Sequence, residues 1–378
     1  MFPYFFVFLQ SIMKTLHIFN PEHEIALAAN LAHFTPPHAG RQLKADLGWL
    51  PALWADADDY VLVDHSEAAR KCYERLRRRL GRPVCQFVDR SDLPHLNVQQ
   101  VKPWGWDSAL VTDLHRWGLS VNLLPESSRL ECWRQLAHRR TSARLLSSLR
   151  LEGTVGEAVE CSDVEQVEAF MSRWQRVVVK APWSSSGRGV RFYDTERLVD
   201  QGKLMVDNWI RNVIKQQGSV MMEPYYNKVK DFGMEFERDA NGQVHYLGLS
   251  LFHTKNGAYI GNLLATEETK RAQMARYLSL DLLDSVRQRI IDNILLADYQ
   301  GPFGIDMMIV NFPCNATLSK REFSNLNSHL LLHPCVELNL RRTMGHVALS
   351  LMPTDDDIRK VMHIELTDHY KLHIRKAQ

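Results

Sequence analysis

Hydrophobic and polar residues follow two different periods along the first third of the chain. Short apolar runs, such as TLHIF (15–19) and DYVLVD (59–64), have the length and composition of buried strands. Amphipathic stretches such as HSEAARKCYERLRRRLG (65–81) follow them and repeat their apolar residues at helical spacing. This alternation predicts a small α/β domain with a parallel sheet over residues 14–128.

From about residue 129 to residue 378 the pattern becomes α+β, which predicts a second domain. A helix from about Leu130 to Leu149 is expected to begin it. DVEQVEAFMSRW (163–174) predicts an amphipathic helix with Ser162 or Asp163 as N-cap, and RVVVK (176–180) predicts a buried strand. Further helices are expected at about 196–216 and 280–298, and further strands at VRFYD (190–194), SVMMEP (219–224), FGIDMMIV (303–310), HPCVELNL (333–340) and on both sides of Asn241-Gly242.

Composition and charge exclude some classes of function. The chain has 378 residues, 45% of them hydrophobic and 24% charged, which is ordinary for a globular protein of two or three domains. Its formal net charge of +2 does not indicate a nucleic-acid partner. The six cysteines are scattered without a C-x-x-C pair, which favours a reduced, cytoplasmic protein with buried thiols.

The first twelve residues, MFPYFFVFLQSI, are strongly apolar. They have no basic segment and no cleavage site, and they are too few to span a bilayer. We therefore expect residues 1–13 to be a non-native or disordered extension, with Met13 opening the natural chain. A signal peptide or anchor is the alternative, although no later segment is apolar enough to cross a membrane.

The stretch VVVKAPWSSSGRGV (177–190) places a lysine at the end of an apolar run and before a Ser/Gly-rich turn. A Walker loop has the opposite order, with its lysine after the glycines and a helix behind it. An ammonium group at a buried strand end, Lys180, needs an anion to offset its desolvation. A glycine-rich hairpin can fold over phosphates. The alternative is a surface turn beside a lysine that is paired for structural reasons.

Polar side chains interrupt two of the apolar strands. Because alternate residues of a strand point to one face, Glu337, Asn339 and Arg341 project together. The carboxylate and amide oxygens suit a hard cation, and the guanidinium suits a phosphate or a substrate anion. Asp306, in the neighbouring strand, would complete a metal site from the side. The alternative is an exposed edge strand with ordinary apolar–polar alternation.

A further carboxylate, Glu223, ends the strand SVMMEP and precedes Pro224. An extended segment beyond a strand offers its backbone groups to an adenine edge, with Glu223 accepting from the exocyclic amine. Asp231 or Glu235 would then reach the ribose hydroxyls. For each carboxylate alone, a solvated strand end is the alternative.

In combination and in this order, these motifs resemble the ATP-grasp superfamily. The resemblance covers about residues 130–350 and implies two α+β subdomains that hold ATP between them, one of them a lid at about 150–222. The fold class is therefore α+β, preceded by the small α/β parallel-sheet domain. The resemblance rests on Lys180 in VVVKAPWSSSGRGV, Glu223 in MMEPYY, Asp306 in GPFGIDMMIV, and the strand E-x-N-x-R at 337–341 followed by GH.

The resemblance also implies roles for single residues. The ATP-binding group is Arg140, Lys180, Ser184, Ser185, Ser186, Gly187, Arg188, Gly189, Glu223, Tyr225 and Asp231. The group that holds one or two Mg²⁺ ions is Asp306, Glu337 and Asn339. The catalytic group near the γ-phosphate is Arg341, Lys255 and Asn262.

Three features depart from the family's usual pattern. Arg140 stands where these proteins usually have a lysine, so the charge is kept but the shape differs. About thirty residues separate Asp306 from Glu337, so 312–330 is expected to be an insertion. Asp306 is also shorter than the glutamate that many members use, which leaves the number of metal ions open.

The implied activity is that of an ATP-dependent ligase. A substrate carboxylate attacks the γ-phosphorus to form an acyl phosphate, and an amine or thiol then displaces phosphate. Phosphoryl transfer to an alcohol or other acceptor, and nucleotide binding without turnover, remain open as alternatives. The expected partners are a small-molecule or peptide carboxylate and its amine or thiol acceptor, and a second copy of the chain is a candidate for a homodimer. Neither nucleic acid nor membrane is expected.

The acceptor side is expected to come partly from the N-terminal domain. FNPEHEIALAANLAHFTPP (19–37) is dense in His, Glu and Asn at a strand-to-helix junction, and its candidate residues are Asn20, Glu22, His23 and Asn30. KPWGWDS (102–108) adds two tryptophans around a glycine, which suit stacking on a flat or peptide-like group. Trp104 and Trp106 as core residues at a domain interface is the alternative.

Overall fold

The structure is a computed structural model that describes residues 14–184, 187, 189–200, 203–204, 206–255, 258–311 and 330–377. The N-terminal extension predicted at 1–13 lies outside the described residues, as does the predicted insertion up to residue 329. Three residues of the predicted phosphate turn also lie outside them: Ser185, Ser186 and Arg188.

Four strands near the N-terminus pair in parallel, in the order β3-β2-β1-β4. The strands are β1 (Thr15–Ile18), β2 (Tyr60–Leu62), β3 (Gln86–Val88) and β4 (Gln100–Pro103). The helices are α1 (His23–Ala29), α2 (His38–Leu47), α3 (Ser66–Leu80) and α4 (Ser108–Arg116). Helix α3 ends at Gly81, whose φ of 64° is a conformation that glycine adopts without a side-chain clash. The predicted parallel α/β architecture of this part is confirmed.

An antiparallel sheet in the order β5-β10-β6-β7 follows helices α5 (Ser127–Leu136) and α6 (Arg139–Ser148). Its strands are β5 (Val159–Cys161), β6 (Arg176–Lys180), β7 (Val190–Asp194) and β10 (Val220–Pro224), accompanied by α7 (Val164–Met171), α8 (Asn208–Gln217) and a short hairpin of β8 (Val199–Asp200) and β9 (Lys203–Leu204). Val177 and Val179 of β6 pack with Phe170 and Ile210 in one core. We call this unit the lid sheet.

Two helix predictions in this region are wrong. The helix expected at 130–149 is divided at His138, which has extended backbone, accepts a hydrogen bond from the Arg140 N–H, and packs its ring edge-on against Trp183. The helix expected at 196–216 begins only at Asn208, because Asp207 caps it through its side chain and also accepts from the Tyr193 hydroxyl. Contacts with residues distant in sequence therefore set both boundaries.

A second antiparallel sheet has the order β12-β11-β15-β16, and we call it the central sheet. Its strands are β11 (Asn227–Arg238), β12 (Val244–Ser250), β15 (Gly301–Asn311) and β16 (Leu330–Asn339). The helices around it are α9 (Glu267–Met274), α10 (Leu280–Ile291) and α11 (Met344–Ser350). Helix α10 is shorter than the predicted 280–298, because Asn293 caps a separate 3₁₀ turn through its side chain.

The C-terminal residues form a hairpin that the sequence reading missed. Strands β17 (Lys360–Leu366) and β18 (Tyr370–Lys376) extend a hairpin of β13 (Phe252–Lys255) and β14 (Ala258–Leu264) into a four-stranded sheet. Leu372 and Ile374 of β18 pack against a core that contains Leu47 and Trp49 of the N-terminal domain. The end of the chain thus joins the first domain to the last.

Strand β16 lies at the edge of the central sheet, but helix α6 covers that edge. The Leu338 N–H, which has no neighbouring strand on this side, donates to the Ser142 hydroxyl of α6 at 3.0 Å. The alternative interpretation as an exposed edge strand is therefore correct about the position of β16 in the sheet but wrong about its exposure.

Two expectations about the whole chain concern membranes and thiols. Among helices of the described ranges, none combines the length and apolarity that a bilayer crossing requires. The cysteines at described positions are free thiols, and three of them are buried: Cys85, Cys161 and Cys335. Cys314 lies outside the described residues.

The buried histidine His333 makes stability depend on pH. Neither of its ring nitrogens has a hydrogen-bond partner, and burial, with Lys180 and Arg150 nearby, lowers its pKa to about 3. An unfolded histidine has a pKa of about 6.5. Below that pH the unfolded chain therefore binds a proton that the folded chain does not bind. The stabilisation is complete above that pH and is lost as pH falls towards the folded pKa, at about 1.4 kcal/mol per pH unit.

We therefore expect His333→Leu to flatten the loss of unfolding free energy between pH 6 and pH 4 by about 1.4 kcal/mol per unit. Urea unfolding at a series of pH values measures this slope. The same replacement at the exposed His95 is the matched control. Equal slopes for wild type and His333→Leu would show that His333 titrates normally in the folded protein.

Candidate functional site

Two adjacent strands of the central sheet bring the predicted metal ligands together. Asp306 of β15 lies directly opposite Glu337 of β16, and the Asn339 amide donates to Asp306 Oδ2 at 3.2 Å. Arg341 Nη2 in turn donates to Asn339 Oδ1 at 3.0 Å. The three predicted ligands and the predicted catalytic arginine therefore form one cluster.

Lys180 reaches this cluster from the lid sheet. It is only 6% exposed, its Nζ lies 2.6 Å from Glu223 Oε1, and it donates to the Val336 carbonyl at 3.0 Å. That carbonyl is accessible because the pairing of β15 with β16 shifts between Met308 and Asp306. Pro334 lies in the shifted segment and cannot donate to a strand neighbour. The irregularity in β16 thus provides the contact between the two sheets.

The charges of the cluster are strongly coupled. Burial opposes ionisation of Glu337, but Arg139, Lys180 and Arg341 outweigh it and hold the pKa of this carboxyl below its usual range. Burial, together with the carboxylates of Glu337 and Glu235, raises the pKa of Asp306 well above its usual range. A site with two facing carboxylates is one that a divalent cation would relieve of repulsion.

The donor set fits Mg²⁺ bound together with a nucleotide. In the described part of the chain, no three His, Cys, Asp or Glu side chains are arranged to hold a metal ion by themselves. Asp306 and Glu337 offer two carboxylates, and Asn339 adds an amide oxygen. Mg²⁺ commonly takes one or two carboxylates from the protein and its remaining ligands from phosphates and water.

Glu235 lies beside the predicted metal ligands in a space made by glycines. It is 2% exposed, and its Oε2 lies 3.0 Å from His346 Nδ1. A Cβ at Gly304 or Gly345 would come within 2.4 Å or 1.8 Å of this carboxylate. The ribose role considered for Glu235 does not fit this position, whereas Asp231 lies apart from it, in contact with Lys228 and Thr254.

Arg139, which the sequence reading missed, lies inside the cluster. It is 7% exposed, with Nη2 2.5 Å from Glu337 Oε1 and Nη1 2.7 Å from the Ser184 hydroxyl. Arg140, the predicted phosphate ligand, instead pairs with Glu160 at 3.0 Å. The only signal in the sequence was the Arg-Arg doublet, and nothing in it shows which of the two side chains faces inwards.

The predicted glycine-rich turn connects β6 to β7 as an antiparallel hairpin. The Ala181 N–H donates to the Gly189 carbonyl at 2.8 Å, and Gly187 has a φ of 71°. A Cβ at Gly189 would lie 2.3 Å from the Ser184 hydroxyl, so the close approach of this hydroxyl requires glycine. Ser184, at the start of this turn, therefore lies against Arg139 at the edge of the cluster.

Other predicted residues are held by neighbouring groups. The Tyr225 N–H donates to the Arg176 carbonyl at 2.9 Å, so this N–H is already used and the adenine contact needs another backbone group. Glu223 likewise contacts Lys180 with its carboxylate. Asn262 is fully buried and donates to the Ser250 hydroxyl at 2.8 Å. The side chain of Lys255 lies outside the described residues.

The N-terminal domain contributes directly to the site. Glu24 Oε1 lies 2.6 Å from Arg341 Nη2 and also accepts from Arg341 Nε at 2.9 Å. His23 Nδ1 lies 3.4 Å from Asp107 Oδ2, and His23 lines a small cavity between the domains. The other residues around this cavity include Glu24, Arg139, Ser184, Glu337 and Arg341.

Four other candidate residues of the N-terminal domain are engaged in contacts that stabilise the fold. Asn20 donates to the Gly105 carbonyl at 2.8 Å, and Asn30 ends α1 in a left-handed conformation. Trp104 is buried edge-on against Phe19, and Trp106 packs against the cores of both the N-terminal domain and the central sheet. These contacts favour the domain-interface interpretation of both tryptophans over stacking on a ligand.

Comparison with protein-family models and with curated proteins gives no match. Solved structures do match. A pyruvate carboxylase from Rhizobium etli superimposes with a TM-score of 0.51 at 12% identity, over 93% of this chain and 31% of that one. An N5-carboxyaminoimidazole synthetase from Staphylococcus aureus with ADP gives 0.47 at 12% identity, over 93% and 82%. A biotin carboxylase from Campylobacter jejuni gives 0.47 at 13% identity, over 93% and 75%.

At these identities the likeness concerns the fold alone, and of these three matches the one with pyruvate carboxylase has a TM-score above 0.5. It agrees with an architecture of a parallel-sheet domain followed by a lid sheet and a central sheet. The resemblance seen in the sequence and the likeness seen in the structure lead to one conclusion: the chain has the ATP-grasp fold.

Proposed function

We propose that the protein is an ATP-dependent ligase that activates a substrate carboxylate as an acyl phosphate and joins it to an amine or a thiol. One observation carries the proposal: Asp306 and Glu337 face each other across paired strands, with Lys180 and Arg341 beside them. Two half-buried carboxylates among cations suit a magnesium-bound triphosphate. The ATP-grasp fold supports the same interpretation, and C–N bond formation is the version that we favour.

The proposed role of each residue follows from its position in the site. Lys180, on the lid sheet, would hold the α- and β-phosphates, and the turn from Ser184 to Gly189 would cover the outer phosphates. Asp306, Glu337 and Asn339 would hold one or two Mg²⁺ ions, which offset the negative charge of the phosphates when bound. Such a site acts by positioning and electrostatic stabilisation and needs no side-chain nucleophile.

Arg341 is placed to orient the substrate carboxylate. Its guanidinium is fixed on one side by Glu24 of the N-terminal domain and on the other by Asn339. A guanidinium held in this way presents its remaining donors in a fixed direction, as pairing with a carboxylate or an acyl phosphate requires. We place both substrates in the space between the N-terminal domain and the central sheet, where His23 and Glu24 line the cavity.

The class of substrate follows from this placement. The carboxylate donor is a small molecule or a peptide, and the acceptor supplies an amine or a thiol. The free thiols at the described positions agree with a reaction in the cytoplasm. A homodimer stays a prediction from the sequence.

Product analysis tests the proposed reaction. With ATP, Mg²⁺ and a mixture of metabolites, we expect ADP, phosphate and a new amide or thioester in equal amounts, identified by mass spectrometry. A stable phosphorylated product without free phosphate would instead identify a phosphotransferase. ATP binding without any product would identify a nucleotide-binding protein, and either result would overturn the ligase assignment.

We expect Lys180 to be required for ATP binding. Removing it alone would leave Glu223 buried without a partner, which can itself unfold the lid sheet. The double variant Lys180→Met, Glu223→Gln avoids this and should keep the wild-type melting temperature to within a few degrees. Since hydrogen bonds to charged groups contribute about 1.5–3 kcal/mol, ATP affinity should fall about tenfold or more.

Calorimetric titration with MgATP measures the affinity of the Lys180 double variant. The controls are Lys215→Met on the exposed face of α8 and Glu223→Gln alone, because Glu223 is itself a predicted ATP contact. An affinity that stays unchanged in the folded double variant would place the phosphates elsewhere.

We expect Glu337→Gln to remove the benefit of magnesium for nucleotide binding. Glutamine keeps the shape and an acceptor for Arg139, but the negative charge that would attract the ion is gone. The ratio of ATP affinities with and without Mg²⁺ should fall about tenfold towards one. Glu152→Gln, at an exposed position, should keep the wild-type ratio, and a retained ratio in Glu337→Gln would exclude Glu337 as a ligand.

A further inference from the structure

Arg139 joins three parts of the site through a single guanidinium. Nη1 donates to the Ala181 carbonyl and to the Ser184 hydroxyl at 2.7 Å, both at the start of the glycine-rich turn. Nη2 lies 2.5 Å from Glu337 Oε1 of the central sheet. One buried cation therefore connects the phosphate-covering turn to a metal ligand.

The position of Arg139 is electrostatically unfavourable within its own helix. It is the first residue of α6, and the first turn of this ten-residue helix carries no acidic side chain. The N-terminal end of a helix already has partial positive charge, so an arginine there destabilises it unless an anion lies nearby. Glu337 supplies part of that anion.

One hydrogen-bond donor of the Arg139 guanidinium is not used. The Arg139 side chain is buried, with 7% of the residue's surface exposed, and its Nε has no hydrogen-bond partner. Its side chain lines the small cavity that Glu24 and Arg341 line from the other side. A buried N–H without a partner costs free energy, and a phosphate oxygen in this cavity would remove the cost. Arginine is suited to phosphate because its planar fork presents several donors at once.

We propose that Arg139 is a phosphate-binding residue that competes with the divalent cation for Glu337, and so couples metal binding to nucleotide binding. This inference rests on the proposed ATP site. With a cation held by Glu337, the guanidinium would be free to turn fully to the phosphates, and Ser184, which accepts from Arg139, would follow it. Arg140, which pairs with Glu160, takes no part in the exchange.

The proposal makes two predictions of opposite sign for one substitution. In Arg139→Gln the carboxylate of Glu337 loses its competing cation, so binding of the metal alone becomes tighter. The same variant also loses the phosphate contact of the unpaired Nε, which is available while Nη2 stays on Glu337, so binding of ATP without metal becomes weaker. A purely structural role of Arg139 would weaken both.

The experiment uses the full chain and two probes, Mn²⁺ alone and ATP with the metal chelated. Mn²⁺ binding is followed by electron paramagnetic resonance, and ATP binding by calorimetry. For Arg139→Gln we expect Mn²⁺ affinity to rise about fivefold, the lower end of typical coupling between sites. ATP affinity should fall about tenfold, as expected for a charged hydrogen bond.

Three further variants make the result specific. Arg144→Gln, on the exposed face of the same helix, is the matched control and should behave as wild type. Arg139→Lys keeps the charge and should restore the wild-type Mn²⁺ affinity, but not the full ATP affinity, because it lacks the fork. Arg140→Gln tests the neighbouring residue. If Arg139→Gln does not fold, Arg139→Lys still tests the phosphate contact.

Two outcomes would overturn the proposal. One is a folded Arg139→Gln that binds both probes as wild type does or binds both more weakly. The other is a loss of ATP affinity in Arg140→Gln but not in Arg139→Gln. Failure of the proposed function is a different result, since the wild-type protein itself would then bind no ATP with or without metal.

Discussion

The repulsion between Asp306 and Glu337 is the constraint on which the site depends. The two carboxylates face each other across paired strands, and burial, together with the charges of Glu337 and Glu235, raises the pKa of Asp306. The surrounding structure supplies cations from three separate elements: Arg139 from α6, Lys180 from the lid sheet and Arg341 from the segment after β16. Arg139 contacts Glu337 directly, whereas Lys180 and Arg341 act on it through their charge and contact other parts of the molecule.

These connections explain why the domains share one site. Lys180 links the lid sheet to the central sheet through Glu223 and the Val336 carbonyl. Arg341 links the central sheet to the N-terminal domain through Glu24. The C-terminal hairpin packs its apolar face against the N-terminal core. A movement of any one unit would therefore alter the charge balance at Glu337, as the coupling that we infer for Arg139 requires.

Secondary-structure elements were predicted correctly where the local sequence pattern determines them. Parallel strands at the N-terminus, the helix capped by Asp163, and the hairpin after Lys180 follow from periodicity, capping and glycine content. The predictions of helices at 130–149 and 196–216 were wrong, because His138 packs on Trp183 and Asp207 accepts a hydrogen bond from Tyr193. These partners are not close in the sequence, so a local pattern cannot indicate them.

The amino-acid sequence alone indicated Lys180, Glu337, Asn339 and Arg341 as a candidate site, because the strand E-x-N-x-R and the strand-borne lysine carry that information within a few residues. The tertiary structure alone decided that Arg139 and not Arg140 lies against Glu337, and that the charge of Glu235 acts on the predicted metal ligand Asp306. Adjacent arginines have the same charge and the same local pattern. Only the path of α6 past β16 determines which of the two side chains is buried.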